Sequence, residues 1–176
     1  MNHVTSATLL LLNLGVASIA FSQEIPLKMT FSGSNAATTI NLQANTVTDE
    51  LQAAGNGTLG SFTFRELHAD TAVGPPTGGC AGPSFGVVAG AGVFRFQDGS
   101  LLIAAVKDGS GCIDLSVGNA SLTVEYEIKG GTGRFEGASG NLKMTTTIAA
   151  ILRNAAGSPA MLTNSGQIEG TLFGRP

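Results

Sequence analysis

Apolar and polar residues alternate with a period of two along most of this chain. Ile25, Leu27, Met29 and Phe31 are separated by single residues, and so are Leu122, Val124, Tyr126 and Ile128. Successive side chains on a strand point to opposite faces, so this spacing predicts half-buried β-strands. Beyond Ser22 no stretch holds a helical period over three turns.

Eight strands follow from the alternation and from the turns between them. The first runs through Ile25 to Phe31 and ends at Ser32-Gly33-Ser34-Asn35. A second sets Ile40, Leu42 and Ala44 on one face and Asn41, Gln43 and Asn45 on the other. A third spans Thr58 to His68, and a fourth covers Ser84 to Phe96. The fifth runs from Leu101 to Lys107, the sixth from Ser121 to Lys129, the seventh from Asn141 to Arg153 and the eighth from Ala160 to Phe173. The Gly/Pro stretch from Val73 to Gly79 reads as loop, Asp98-Gly99 as a tight hairpin and Asp108-Gly109-Ser110-Gly111 as the next turn.

Strands at hairpin spacing predict an all-β fold: an eight-stranded antiparallel up-and-down β-barrel, calycin-like, with no exposed sheet edge. A β-sandwich shares the same alternation, so the period alone leaves it open. An outer-membrane barrel requires aromatic girdles. This chain has no Trp and one Tyr, and Glu125, Glu127 and Lys129 make one face of the sixth strand highly charged. The apolar faces are therefore expected to point inward, in a barrel that does not meet lipid.

The turn between the sixth and seventh strands is rich in glycine. Gly130, Gly131 and Gly133 are followed by Phe135, Gly137 and Gly140. A dinucleotide fingerprint would need a glycine at 136 and a helix opening there. Position 136 is Glu, and the alternation returns by Leu142. The glycines are thus read as structural, allowing positive φ and close backbone approach, with Phe135 filling space.

Residues 7 to 21 are nearly all apolar or small, and Ala20-Phe21-Ser22 has the small-x-small form of a cleavage site. Residues 1–22 are read as a signal peptide and 23–176 as a single barrel domain, exported to the periplasm or the exterior. The run from Leu9 to Leu12 is too short for a membrane span. All 9 basic and 12 acidic residues follow Ser22, giving a formal charge of −3. That balance attracts no nucleic acid. Cys80 and Cys112 are the only cysteines, each in a Gly-rich segment, and in an exported domain they are expected to form a disulfide. Only His68 remains beyond the leader, and no Cys/His cluster has ligand spacing, so neither a metal nor another cofactor is expected.

Candidate chemistry lies on the third strand. Phe62, Phe64, Glu66 and His68 share one side, and Thr63, Arg65 and Leu67 the other. If the phenylalanines face inward, Glu66 and His68 follow them, and Tyr126 of the sixth strand can join as donor or acceptor. A buried carboxylate beside an imidazole can move a proton. The competing reading has the strand leave the barrel near Glu66, with His68 and Asp70 solvated. With the opposite facing, Arg65 and Arg95 would form an inward anion site. Phe62, Phe64, Phe94, Phe96, Leu102 and Ile103 are the side chains expected to fill the interior, and the aromatics with Tyr126 to contact any ligand.

The segment Tyr126-x-Ile128-Lys129-Gly130-Gly131-Thr132-Gly133-Arg134-Phe135-x-Gly137-Ala138-x-Gly140 resembles the strand–turn–strand signature of the allene oxide cyclase barrel. Plant dirigent proteins and some bacterial polyketide cyclases share that barrel. The specific likeness covers this segment; the remainder agrees in strand number and length. The resemblance implies that the aromatic after the glycines plugs one end, and that an interior pocket steers a reactive apolar intermediate. The family's catalytic carboxylates have no residue-by-residue counterpart in the N-terminal strands here. Three functions stay open: a binder of a small apolar molecule, a cyclase or isomerase, and a packed structural barrel. Whether the chain is an enzyme, and its oligomeric state, are left undecided at this point.

Overall fold

The computed structural model describes residues 23–77, 79–157 and 159–174. The expected signal peptide lies outside them. Eight strands occur in chain order: β1 (Gln23–Ala37), β2 (Thr46–Gly57), β3 (Phe62–Thr71), β4 (Ser84–Phe96), β5 (Leu101–Asp114), β6 (Asn119–Gly131), β7 (Ser139–Arg153) and β8 (Pro159–Gly174). Each pairs antiparallel with the next, and β1 pairs with β8 from Gln23↔Gly174 to Asn35↔Leu162. The sheet is a closed up-and-down barrel, and the sandwich is excluded.

Closure sends one face of every strand to the axis. Leu27, Met29 and Phe31 of β1, Leu122, Val124, Tyr126 and Ile128 of β6, and Leu142 and Met144 of β7 are all buried. The outer wall carries Lys28 paired with Glu169 and Lys129 paired with Glu127. Such a wall is not the apolar band that a lipid-facing barrel presents. Among the described residues, no helix is long and apolar enough to cross a membrane.

Three local readings are corrected. Residues 38–45 are not a strand but the link from β1 to β2, and Ile40 and Leu42 are exposed. Hydroxyls divert this backbone from a ladder: Thr38 Oγ1 accepts from Ile40 N at 3.0 Å, and Thr46 Oγ1 donates to Gln43 O at 2.7 Å. Asn45 then turns the chain at φ 61°. The third strand begins at Phe62 rather than Thr58, because Gly60 N donates to Gly57 O at 2.9 Å and closes a turn first. Finally, Asp108-Gly109-Ser110-Gly111 is not a turn. β5 continues to Asp114, and Lys107 is the extra residue of a bulge between Val106↔Tyr126 and Asp108↔Glu125. A bulge absorbs one residue without ending the strand. The turn itself is at 115–118.

The hairpins put the β2–β3, β4–β5 and β6–β7 turns at one end, which is closed. After Gly131 the chain makes one 3-10 turn, Gly133–Phe135, and no longer helix. Gly130 and Gly133 have φ 119° and 62°, a region that favours glycine. Gly131 lies so close to Leu101 O that a Cβ would collide with it. Phe135 is buried, its ring 4.8 Å from that of Phe96. The Arg134 guanidinium covers both rings, and its Nε lies 3.3 Å from Asp98 Oδ2.

Cys80 and Cys112 form a disulfide that joins the β3–β4 loop to the end of β5. In the chain-entropy model, closing a loop of about 30 residues restricts the unfolded chain by about 3–4 kcal/mol. The double variant Cys80→Ser/Cys112→Ser is expected to lose that much stability in urea unfolding. An unchanged midpoint would show that the bridge contributes nothing.

Candidate functional site

The interior divides into an aromatic half and a polar half. Below, Phe64 stacks on Phe94 at 4.2 Å, Phe62 meets Phe94 edge-on at 5.5 Å, and Phe96 contacts Phe62 at 6.1 Å. Leu102 is buried with them, whereas Ile103 points outward and is 38% exposed. Arg65 and Arg95 are also outward, so the inward arginine pair does not form.

Above the rings, β3 carries three acid–base side chains toward the open end. Glu66 and His68 are 2% and 3% exposed, so β3 does not leave the barrel at Glu66. Tyr126 Oη donates to Glu66 Oε1 at 2.8 Å. Glu66 Oε2 lies 3.7 Å from His68 Nδ1, and His68 Nε2 lies 3.6 Å from Asp70 Oδ2. These last two separations are ion-pair distances, longer than direct hydrogen bonds. Asp49 of β2 sits directly across from His68 in the β2–β3 register. Its carboxylate, the imidazole and the Asp70 carboxylate hold donor atoms within 4.8 Å of one another. Asn164 Nδ2 donates to Asn35 Oδ1 at 3.3 Å on the neighbouring strands β8 and β1.

Each shifted pKa has a local cause. Burial by itself would push the His68 imidazolium down, but Asp70 and Glu66 on either side reverse this and hold its pKa up at about 10. Burial raises the Asp49 carboxyl; His68 pulls it down and nearby Asp70 raises it further. Burial, then the Glu66 charge, lifts the Tyr126 phenol well above its ordinary value.

This polar group forms one side of a pocket of about 170 Å³ at the open end. All eight strands contribute to it. Asn35, Asp49, His68 and Asp70 supply polar atoms, and Phe85, Ile113, Leu122, Ile148 and Leu162 supply apolar walls. The apolar cavity volume known to accept a benzene-sized guest is about 150 Å³, so the space suits a compact ring or one end of a chain. A larger concavity of about 620 Å³ lies outside, over the β5–β6 turn. It includes none of the buried acid–base groups, so the smaller pocket is the candidate site.

Of the residues singled out in the sequence, His68 lines the pocket, and Glu66 and Tyr126 stand beneath it. Phe62, Phe64, Phe94 and Phe96 pack the closed half and do not line it. Sequence reasoning missed Asp49, Asn35 and Asn164. The signal for Asp49 was its place two residues before Leu51 and four before Ala53, both buried. It was obscured by the strand assigned to 40–45.

The fold and site together define a closed eight-stranded antiparallel barrel with an acid–base cluster at its open mouth. No family model matches the chain, and comparison with curated proteins finds no match.

Proposed function

We propose that this barrel binds a small molecule with an apolar body and a polar head at its open end. One observation carries the reading: the pocket combines apolar walls on Leu122, Ile148 and Leu162 with Asp49, His68 and Asp70 on one side. Binding sites take this form, apolar surface with a few convergent polar groups. The loops around the mouth add exposed apolar side chains, Ile40, Leu42, Val73, Leu115 and Val117. These favour arrival of an apolar guest from this side. Export places the guest outside the cytoplasm, in keeping with the leader-like N-terminus and the disulfide.

A second reading rests on the line Tyr126, Glu66, His68, Asp70. Linked donors and acceptors next to a pocket can exchange protons with a bound molecule. That fits an isomerase or cyclase of the allene oxide cyclase type, which the glycine turn resembles.

The test is native mass spectrometry of protein purified from its own host, beside the variant Ala120→Trp. Ala120 lines the pocket, and an indole there fills it. A small molecule retained by the wild type and lost in Ala120→Trp supports the site. Equal retention by both, or none by the wild type, removes it. Conversion of the released molecule on incubation with the protein would select the enzymatic reading.

A further inference from the structure

We infer that Asp49, His68 and Asp70 form a site for a divalent transition-metal ion, with Zn²⁺ as the defining probe. The three residues meet because β2 and β3 pair Asp49 with His68, while Asp70 follows His68 by two positions on the same face. Their donor atoms lie within 4.8 Å of one another, and the His68 Nε2–Asp70 Oδ2 separation is already 3.6 Å. A tetrahedral zinc with bonds of about 2.0–2.2 Å needs ligand atoms about 3.4 Å apart. The two separations that involve Asp49 lie within 4.8 Å, and Asp49 stands at the partly open rim.

Carboxylates near each other are not by themselves a metal site. The second observation is the state of the buried side chains. His68 is 3% exposed, it lines the pocket, and its Nδ1 has no hydrogen-bond partner. Glu66 Oε2, facing that nitrogen at 3.7 Å, has none either, and neither has Asp70 Oδ1. Buried polar atoms without partners are uncommon. A divalent ion on Nε2, displacing that nitrogen's proton to solvent, resolves the arrangement. His68 then ligates through Nε2 and presents Nδ1–H to Glu66, the carboxylate–histidine–metal relay that fixes imidazole orientation in many metal sites. Tyr126 in turn holds the far oxygen of Glu66.

One imidazole with two carboxylates suits a transition ion better than Mg²⁺ or Ca²⁺, which favour all-oxygen shells. The fourth position opens to the pocket, where water or an oxygen of a bound molecule completes the shell. The site does not depend on the apolar guest proposed above. Zinc binding without any retained organic molecule keeps this inference and drops that one.

The experiment is calorimetric titration of untagged, chelator-stripped protein with ZnCl₂, with MgCl₂ in parallel. Near-stoichiometric Zn²⁺ binding is expected, with Mg²⁺ at least tenfold weaker. His68→Gln and Asp49→Asn should each weaken Zn²⁺ by tenfold or more. Glu66→Gln, which acts on the ion only through His68, should weaken it by about 10- to 100-fold. Co²⁺ titrated into the wild type gives a second readout, since visible bands of a four-coordinate ion should appear and be absent in Asp49→Asn. Asp49 is only partly buried, so that variant is the one expected to keep the fold. Absent Zn²⁺ binding, or equal affinity in wild type and Asp49→Asn, overturns the site.

Discussion

Phe64→Ala is expected to destabilise the barrel by about 3–5 kcal/mol, the usual cost of deleting a fully buried aromatic ring. Phe64 is 1% exposed, lies flat on Phe94 at 4.2 Å and meets Tyr126 edge-on at 6.5 Å. The ring also covers Gly92, where any Cβ would collide with it. Glycine on one strand thus makes room for an aromatic on its neighbour, and alanine at 64 would leave both the ring space and the glycine uncovered. Surrounding strands are held in register by the closed ladder, so they cannot collapse into the void. Ile103→Ala is the control: Ile103 points outward, and its loss should stay near the small values typical of surface changes. Urea unfolding of the two variants decides the matter. A Phe64→Ala midpoint no lower than that of Ile103→Ala would mean that the closed half of the barrel is loosely filled.

The second large effect is on Glu66. Glu66→Ala is expected to cost about 3–5 kcal/mol, because it removes one member of a buried ion pair and leaves the others in place. Tyr126 Oη loses its carboxylate acceptor and keeps only the weak one at Met144 Sδ, and the His68 imidazole keeps Asp70 and Asp49 nearby. Tyr126→Phe should cost less, about 1–3 kcal/mol, since it leaves one carboxylate oxygen without its donor. The two changes share one hydrogen bond, so together they should fall short of the sum by about 0.5–3 kcal/mol. Unfolding is followed in a chelating buffer, which separates this effect from metal binding. Additive costs in that cycle, or a loss below about 1 kcal/mol for Glu66→Ala, would show that water rather than the phenol solvates the carboxylate.

Both predictions depend on inward facing, and much of that was legible beforehand. Phe62, Phe64, Glu66 and His68 share parity on β3, and the rule that alternate side chains share a face placed all four on one side. The barrel and the disulfide were legible for similar reasons: periods of two, turn residues between them, and two cysteines with no other partner. The β1–β2 link was misread because Ile40, Leu42 and Ala44 alternate as a strand would, while Thr38 and Thr46 satisfy the backbone locally. Asp108-Gly109 was misread because a bulge and a turn use the same residues. In both cases the local pattern was real, and the absence of a partner strand among the described residues in the first and its presence in the second decided its meaning.

Parity along each strand is a property of the chain alone, so the sequence by itself determined which side chains of a strand share a face; which face is inner was decided by closure, which also turns Ile103 outward and makes 46–57 the second strand. The sequence could not determine which inner residues share a level of the barrel, because that follows from register between strands. Register sets Asp49 opposite His68 and brings Asn35 and Asn164 together across the β1–β8 seam. It also lets Gly92 admit the Phe64 ring. The acid–base cluster at the mouth is therefore completed by tertiary closure: β3 supplies Glu66, His68 and Asp70 by parity alone, and only the closed barrel brings Asp49 of β2 and Tyr126 of β6 within reach of them.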